Sequence, residues 1–295
     1  MGPRSAHREE WHLGLIGWPL AFSLSPVIHE AALRQHGLKG WYRLFPIAPG
    51  PTLKQELQTL IERLRTGELH GLNVTVPHKE AVVPLVDDRT PLASEIGAVN
   101  TLFVESGRVW GHNTDADGFL TDLRRWGRAI GRHWENGGRA LLLGAGGACR
   151  GAAYALVRAG WEVILAARRL EQADVLAEWL NRRPGLSGRA SAARLSAEAL
   201  RAVGPVDVIV NTTPVGMGAD RDRSPWPEAA PWPPGAAVYD MIYHPSETML
   251  MREAAAAGLA ATNGLGMLIE QGALAFERWT GRPVERSEIW RACGC

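Results

Sequence analysis

Apolar positions recur at two spacings, every second residue in short runs and every third or fourth in longer ones, and these runs predict strands alternating with helices. A strand is expected over His12 to Gly17, a loop through Trp18 and Pro19, and a helix entered at Ser25 and Pro26 that buries Ile28, Ala31 and Ala32 before Gly37 ends it. A second strand, Tyr42 to Ile47, leads to a helix with the stripe Leu53, Leu57, Leu60, Ile61 and Leu64, opened by a capping box of Thr52 and Gln55. Leu72, Val74 and Val76 then alternate with Asn73 and Thr75, as in a half-buried strand, until Pro77 stops the run. Helices from His78 and over Pro91 to Ile96 follow, and Ala98 to Val104 turns at Ser106-Gly107 into an antiparallel return over Val109 to Gly111.

Beyond that hairpin the pattern changes. Trp126 to Gly138 is polar and glycine-bearing, and alanine, valine and arginine dominate after it, which puts a domain crossing near Asp115. Ala140 to Leu143 is apolar throughout, as in a parallel strand covered on both faces, and it runs into Gly144-Ala145-Gly146-Gly147-Ala148-Cys149 and a helix. Strands over Trp161 to Ala167, Val206 to Val210 and Val238 to Tyr243 alternate with helices over Leu170 to Leu180, after the cap Ser196, and over Glu247 to Ala257. The arginine-glycine stretch before Ser196 reads as a loop and the proline- and tryptophan-rich Asp220 to Pro234 as a long surface loop, and a long helix through Met267, Leu274 and Trp279 follows Asn263-Gly264.

A chain of 295 residues exceeds the usual size of one core, so two domains are expected. The net charge of +1, with basic residues scattered, argues against nucleic acid or an anionic membrane as partner. No leader pattern and no apolar run of about 18 residues is present, so a soluble, cytoplasmic protein acting on a small molecule is the expectation. Cys149 sits in a helix pattern and Cys293 and Cys295 lack zinc-site spacing, so all three read as non-catalytic thiols and no metal is expected.

Several residues carry candidate chemistry. Lys79, just past the end of a proline-stopped strand, reads as a solvated amine or as one held in a pocket with Asn73 and Thr75. Ser23 and Ser25 read as cap and loop serine, or as a carboxylate cradle at the electropositive start of a helix. Asp115 is a helix cap or a reacting group, and Gln271 a core amide or a ligand contact. Strand, glycine loop and helix at 140–156 form the pattern of a dinucleotide site, with Cys149 in the third glycine position. Where an NAD enzyme carries an acid at the end of the next strand, this chain has Arg168 and Arg169, a pair suited to a 2′-phosphate and hence to NADP. The loop Asn211 to Met217 lies at a strand's C-terminal end, where open α/β sheets bind ligands.

Taken together the ordered motifs resemble the shikimate dehydrogenase family almost from end to end. They are Ser-Leu-Ser-Pro at 23–26, Asn-Val-Thr-Val-Pro-His-Lys at 73–79, Gly-Ala-Val-Asn-Thr at 97–101, Asn-Thr-Asp at 113–115 and Gly-Ala-Gly-Gly-Ala at 144–148. Asn-Thr-Thr-Pro-Val-Gly-Met at 211–217, Asp240 through Tyr243 to Thr248, and Gly-Leu-Gly-Met-Leu at 264–268 with Gln271 complete the set. The resemblance implies an α/β substrate domain (1–114 and 262–295), a Rossmann-like doubly wound NADP domain (115–261), and a cleft between them. It further implies that Ser23 and Ser25 hold the carboxylate of shikimate, that Thr75, Asn100, Asp115 and Gln271 bind its hydroxyls, and that Tyr243 is a further contact. Lys79 and Asp115 would be the catalytic pair. Gly144, Ala145, Gly146, Gly147, Ala148, Arg168, Arg169, Thr212, Met217, Met241 and Gly264 would hold NADP. The implied reaction is NADPH-dependent reduction of 3-dehydroshikimate to shikimate, with a homodimer as the assembly considered. Two departures stand out: Glu30 where the family commonly has asparagine, and Ala167-Arg168-Arg169 in place of Asn-Arg-Thr. The rivals are a quinate/shikimate dehydrogenase that accepts NAD and a non-catalytic NADP-binding sensor.

Overall fold

The structure, a computed structural model, describes residues 10–294, so the polar start, expected to be disordered, and Cys295 lie outside it. Among the described residues the chain forms two compact units, the first made of residues 10–118 and 268–294 and the second of 119–267. Among the described residues no helix is long and apolar enough to cross a membrane.

The first unit begins with β1 (Trp11–Gly17), α1 (Ser25–Gln35), β2 (Gly40–Pro46), α2 (Leu53–Arg65) and β3 (Gly71–Val74). It continues through β4 (Asp88–Arg89), α3 (Pro91–Ile96), β5 (Thr101–Glu105) and β6 (Arg108–His112), and α4 (Asp115–Ala129) carries the chain onward. The sheet order is β2-β1-β3-β5-β6-β4. β1 is parallel to β2 and β3, and β5 is antiparallel to β3 and β6. The β5–β6 hairpin turns at Ser106 and Gly107, both at positive φ (52° and 76°), as a two-residue turn matching strand twist requires. Leu57, Leu60, Ile61 and Leu64 of α2 pack with Ile16, Leu72, Val74 and Leu102 of the sheet in one core.

The second unit holds β7 (Arg139–Leu143), α5 (Gly147–Arg158), β8 (Glu162–Ala167), α6 (Leu170–Asn181), β9 (Arg189–Arg194), α7 (Ala197–Val203) and β10 (Val208–Asn211). Then come β11 (Ala237–Asp240), α8 (Met249–Ala256), β12 (Ala261–Thr262), α9 (Leu265–Thr280), which returns to the first unit, and α10 (Arg286–Ala292). The sheet is parallel throughout in the order β12-β11-β10-β7-β8-β9, with its reversal between β7 and β10, the doubly wound arrangement. In the first unit, the ring of Trp279 on α9 lies where a side chain at Gly71 would stand, and its Nε1 donates to Leu102 O at 2.9 Å.

Five local expectations are corrected. No helix starts at His78: its ring is buried with Nε2 on Ile47 O at 2.7 Å, and valines and Pro84 allow only a 3-10 turn over Val83–Leu85. Thr52 does not form a capping box with Gln55; its backbone is already helical (φ −88°, ψ −9°) and its hydroxyl donates to Glu56. Ser25 is not a cap either, because Leu24 precedes the helix and Ser25 is its first, buried residue. The arginine-glycine stretch contains β9, an edge strand paired only with β8, whose Arg-Ala-Ser composition carries no strand signal. Trp126, Trp134 and Trp226 are buried, so the polar stretch and the proline-rich loop that hold them pack on the core of the second unit.

Candidate active site

The C-terminal ends of β1 and β3 lie side by side in the first unit, where Thr75 N donates to Ile16 O at 2.8 Å and Trp18 N to Val76 O at 3.0 Å. The approach requires Gly17, since a Cβ there would strike the Thr75 side chain. Beyond Pro77 the buried His78 and the bond from Val99 N to Lys79 O, at 2.9 Å, fix the backbone on both sides of Lys79. Its ammonium donates to Asp115 Oδ2 at 2.6 Å, with the two side chains 29% and 19% exposed. Asp115 is the first residue of α4, where the helix dipole favours its negative charge. The cap is Asn113, whose Oδ1 accepts from Ala116 N at 3.2 Å, so Asp115 is left to face Lys79.

Asn100, 2% exposed, is the hub behind this pair. Its Oδ1 accepts from Thr114 N at 2.8 Å, and its Nδ2 donates to Thr114 Oγ1 at 2.9 Å and Gln271 Oε1 at 3.4 Å. Gln271 in turn donates to Leu268 O at 2.8 Å, so the chain holds its amide in a fixed orientation. A Cβ on Gly118 would lie 2.8 Å from Gln271 N, which makes that glycine a condition for the close approach of α4 and α9 here. Ser23 Oγ accepts from Ser25 N at 3.3 Å, which sets the two serines as a turn at the mouth of α1. Trp18, Phe22 and Val76, near these groups in sequence, are exposed. Tyr42, Thr101 and Thr114 join Asn73 and Asn100 in one buried network; Tyr42 carried no signal beyond an ordinary strand position, and the two threonines only their places in the ordered motifs.

In the second unit β7 is followed at once by Gly144, whose φ of 114° only glycine tolerates. Ala145, Gly146, Gly147 and Ala148 follow it to the N-terminus of α5, where the backbone N–H groups of the first turn are open and Gly146 to Ala148 are exposed. Cys149 is fully buried, and burial pushes its thiol up to about 12, so it packs rather than reacts. A pyrophosphate fits this cradle. Arg168 and Arg169 stand exposed directly after β8, free of any carboxylate among the ion pairs of the described residues, and suit a further phosphate. Thr212 Oγ1 donates to Leu143 O at 2.7 Å beside the loop, and Met217 is exposed. Gly264 N donates to Ile242 O at 3.0 Å, and its missing Cβ lets it lie against the Met241 backbone. Tyr243 is half-buried just beyond β11. Asp240, at the end of that strand, collects Asn211 Nδ2, Ile242 N and Thr248 Oγ1, tying two loops together. No cluster able to hold a metal exists among the described residues.

The chain matches a model of the shikimate dehydrogenase substrate binding domain over residues 15–102 and one of the shikimate 5′-dehydrogenase C-terminal domain over residues 264–293. A shikimate dehydrogenase (NADP(+)) from Symbiobacterium thermophilum is 40% identical over 277 residues, 92% of this chain and 90% of that protein. A crystal structure of shikimate 5-dehydrogenase from Thermus thermophilus, in complex with NADP(H) and shikimate, is 38% identical with a TM-score of 0.80, over 96% of this chain and 98% of that one. Quinate dehydrogenase from Corynebacterium glutamicum, in complex with NAD, is 30% identical with a TM-score of 0.82, over 97% and 99% of the two chains.

Proposed function

The chain belongs to the shikimate dehydrogenase family, and on that premise we propose that it catalyses the reversible NADPH-dependent reduction of 3-dehydroshikimate to shikimate. The observation that carries the reading is the Lys79–Asp115 contact of 2.6 Å, an amine and a carboxylate part-shielded from water on the unit that bears the serine turn. Ser23 and Ser25 hold the ring carboxylate, and Tyr243 is a further substrate contact. Thr75, Asn100, Asp115 and Gln271 orient the ring hydroxyls, Asn100 and Gln271 through amides already braced by the chain. Lys79 Nζ gives a proton to the oxygen that becomes the new hydroxyl and takes it back in the reverse direction. Asp115 holds Nζ in place for that transfer.

Residues 1–114 and 262–295 chiefly serve the ring acid and 115–261 the nucleotide, with Asp115, Tyr243 and Gly264 as the exceptions. The backbone N–H groups from Gly144 to Ala148 hold the pyrophosphate, and Arg168 and Arg169 the 2′-phosphate. Thr212, Met217, Met241 and Gly264 complete the NADP site, and the nicotinamide, when bound, would supply the hydride. The two arginines favour NADP over the NAD-accepting quinate/shikimate reading. Absorbance of the reduced cofactor, followed with shikimate and with quinate against NADP⁺ and NAD⁺, is the test. NADP⁺ reduction that depends on shikimate supports the proposal; faster turnover of quinate with NAD⁺, or no turnover at all, sinks it.

A further inference from the structure

Lys79 lies in residues 75–82, between the end of β3 and the 3-10 turn at Val83, in a stretch that forms neither helix nor strand. The backbone bonds of His78, from its N to Thr75 O at 2.9 Å and to its O from Val82 N at 3.1 Å, stay inside that stretch and stiffen it without placing it. Placement comes from outside. Val99 N donates to Lys79 O at 2.9 Å, and the fully buried His78 ring donates from Nε2 to Ile47 O at 2.7 Å. Ile47 N in turn donates to Gly17 O at 3.1 Å, and Gly17 leads into the loop that carries Ser23 and Ser25. The bond from Trp18 N to Val76 O, at 3.0 Å, closes a circuit of main-chain groups in which the one side-chain member is the His78 imidazole.

That ring is costly where it stands. Ile47 O can only accept, so Nε2 carries the ring hydrogen and Nδ1 is left as an acceptor, buried with no hydrogen-bond partner among the described residues. Ile47 and Val82, to which His78 is bonded, belong to the apolar core of the unit, where a hydrocarbon ring would leave no nitrogen unpaired. A polar ring kept in such surroundings is explained by what its other nitrogen holds. It holds the residue before Lys79. Lys79 Nζ has to meet Asp115 Oδ2 at 2.6 Å and a substrate oxygen at once, and a misplacement of about 1 Å costs up to about 10²-fold in rate.

We propose that His78 is a positioning residue for the proton transfer, its ring bond to Ile47 O fixing the backbone from which Lys79 reaches Asp115 and the substrate. The proposal rests on the reading above that Lys79 carries the proton. Steady-state kinetics of H78Q, H78N and H78F, each checked for folding by circular dichroism at the assay temperature, test it. A glutamine amide nitrogen stands as many bonds from Cα as Nε2 and can reach Ile47 O. An asparagine amide nitrogen stands only as far out as Nδ1, and phenylalanine fills the space with no donor. The kcat of H78N and H78F should therefore fall by about 10- to 100-fold, with the KM values for shikimate and NADP⁺ within about threefold of wild type. H78Q should recover kcat to within about threefold of wild type, because its donor is restored.

Glutamine as poor as asparagine, wild-type kcat in H78F, or losses that fall on KM rather than kcat overturn the role of His78 while leaving the proposed reaction intact. If H78F does not fold, the two amides still decide, since they share their chemistry and differ in reach. Should none of the three fold, His78 serves folding alone and the proposal falls. A wild-type protein inert toward shikimate, or full turnover by K79M, overturns instead the reading on which the proposal rests.

Discussion

Lys79 offers its amine to one carboxylate oxygen at 2.6 Å while keeping 29% of its side chain open to an incoming ligand. Lys79→Met keeps the aliphatic stem and removes the proton carrier, so kcat should fall by about 10²- to 10⁴-fold while the shikimate KM moves little. Steady-state assays at saturating NADPH read the two constants separately. Asp240 makes a pH prediction. Burial outweighs its three hydrogen-bond donors and lifts its pKa to about 6, against about 3.9 for an unfolded aspartate. The folded state therefore binds the proton more readily, and the stability this contributes is full below about pH 4 and is lost as pH rises through about 6. At ~1.4 kcal/mol per unit the swing is about 3 kcal/mol. Asp240→Asn, nearly isosteric, should flatten the change in denaturant midpoint between those pH values relative to wild type. Lys79 and Asp115 were legible because a proline-stopped strand and an Asn-Thr-Asp turn are local signals. Tyr42 was not, because an aromatic residue in an alternating strand looks like core until the partners of its hydroxyl are known.

Two element ends in the second unit carry the next predictions. The start of α9 passes so close to α4 that a Cβ on Gly266 would fall on the Asp122 carboxylate, which is buried, accepts from Tyr239 at 2.6 Å and is paired with Arg125. Gly266→Ala should cost about 1–3 kcal/mol, seen as a lowered denaturant midpoint, because that carboxylate cannot shift without straining its buried bond to Tyr239. At the end of β8, changing Arg168 and Arg169 together to alanine should raise the KM for NADPH by roughly tenfold or more and leave that for NADH unchanged, each lost charge-assisted bond being worth about 1.5–3 kcal/mol. Elements with strong periodicity, such as α2 and β7, could be read from the chain because one apolar face or an unbroken apolar run marks them. β9 could not: an edge strand of arginine, alanine and serine is held by its neighbour's backbone rather than by its own side chains. The helix expected at His78 failed for the converse reason, a tertiary bond from its ring overriding local preference.

At the scale of the molecule, the change in composition after Gly138 pointed to a crossing near Asp115, and the compact units divide between Gly118 and Phe119 and again between Met267 and Leu268. Sequence could not show that α4 runs on across the first of these to Ala129. Both passages of the chain between the units run inside helices rather than through loops. A protease needs an extended segment in its cleft, and hydrogen-bonded helix denies it one. Brief trypsin digestion followed by mass spectrometry should thus record its first cuts after exposed loop arginines such as Arg221 and Arg223, well before Arg124, Arg125 or Arg128 of α4. The two units should resist being separated by limited proteolysis, and a gene fragment for residues 119–267 would begin and end mid-helix, so excising the second unit intact calls for redesigned ends rather than a simple trim.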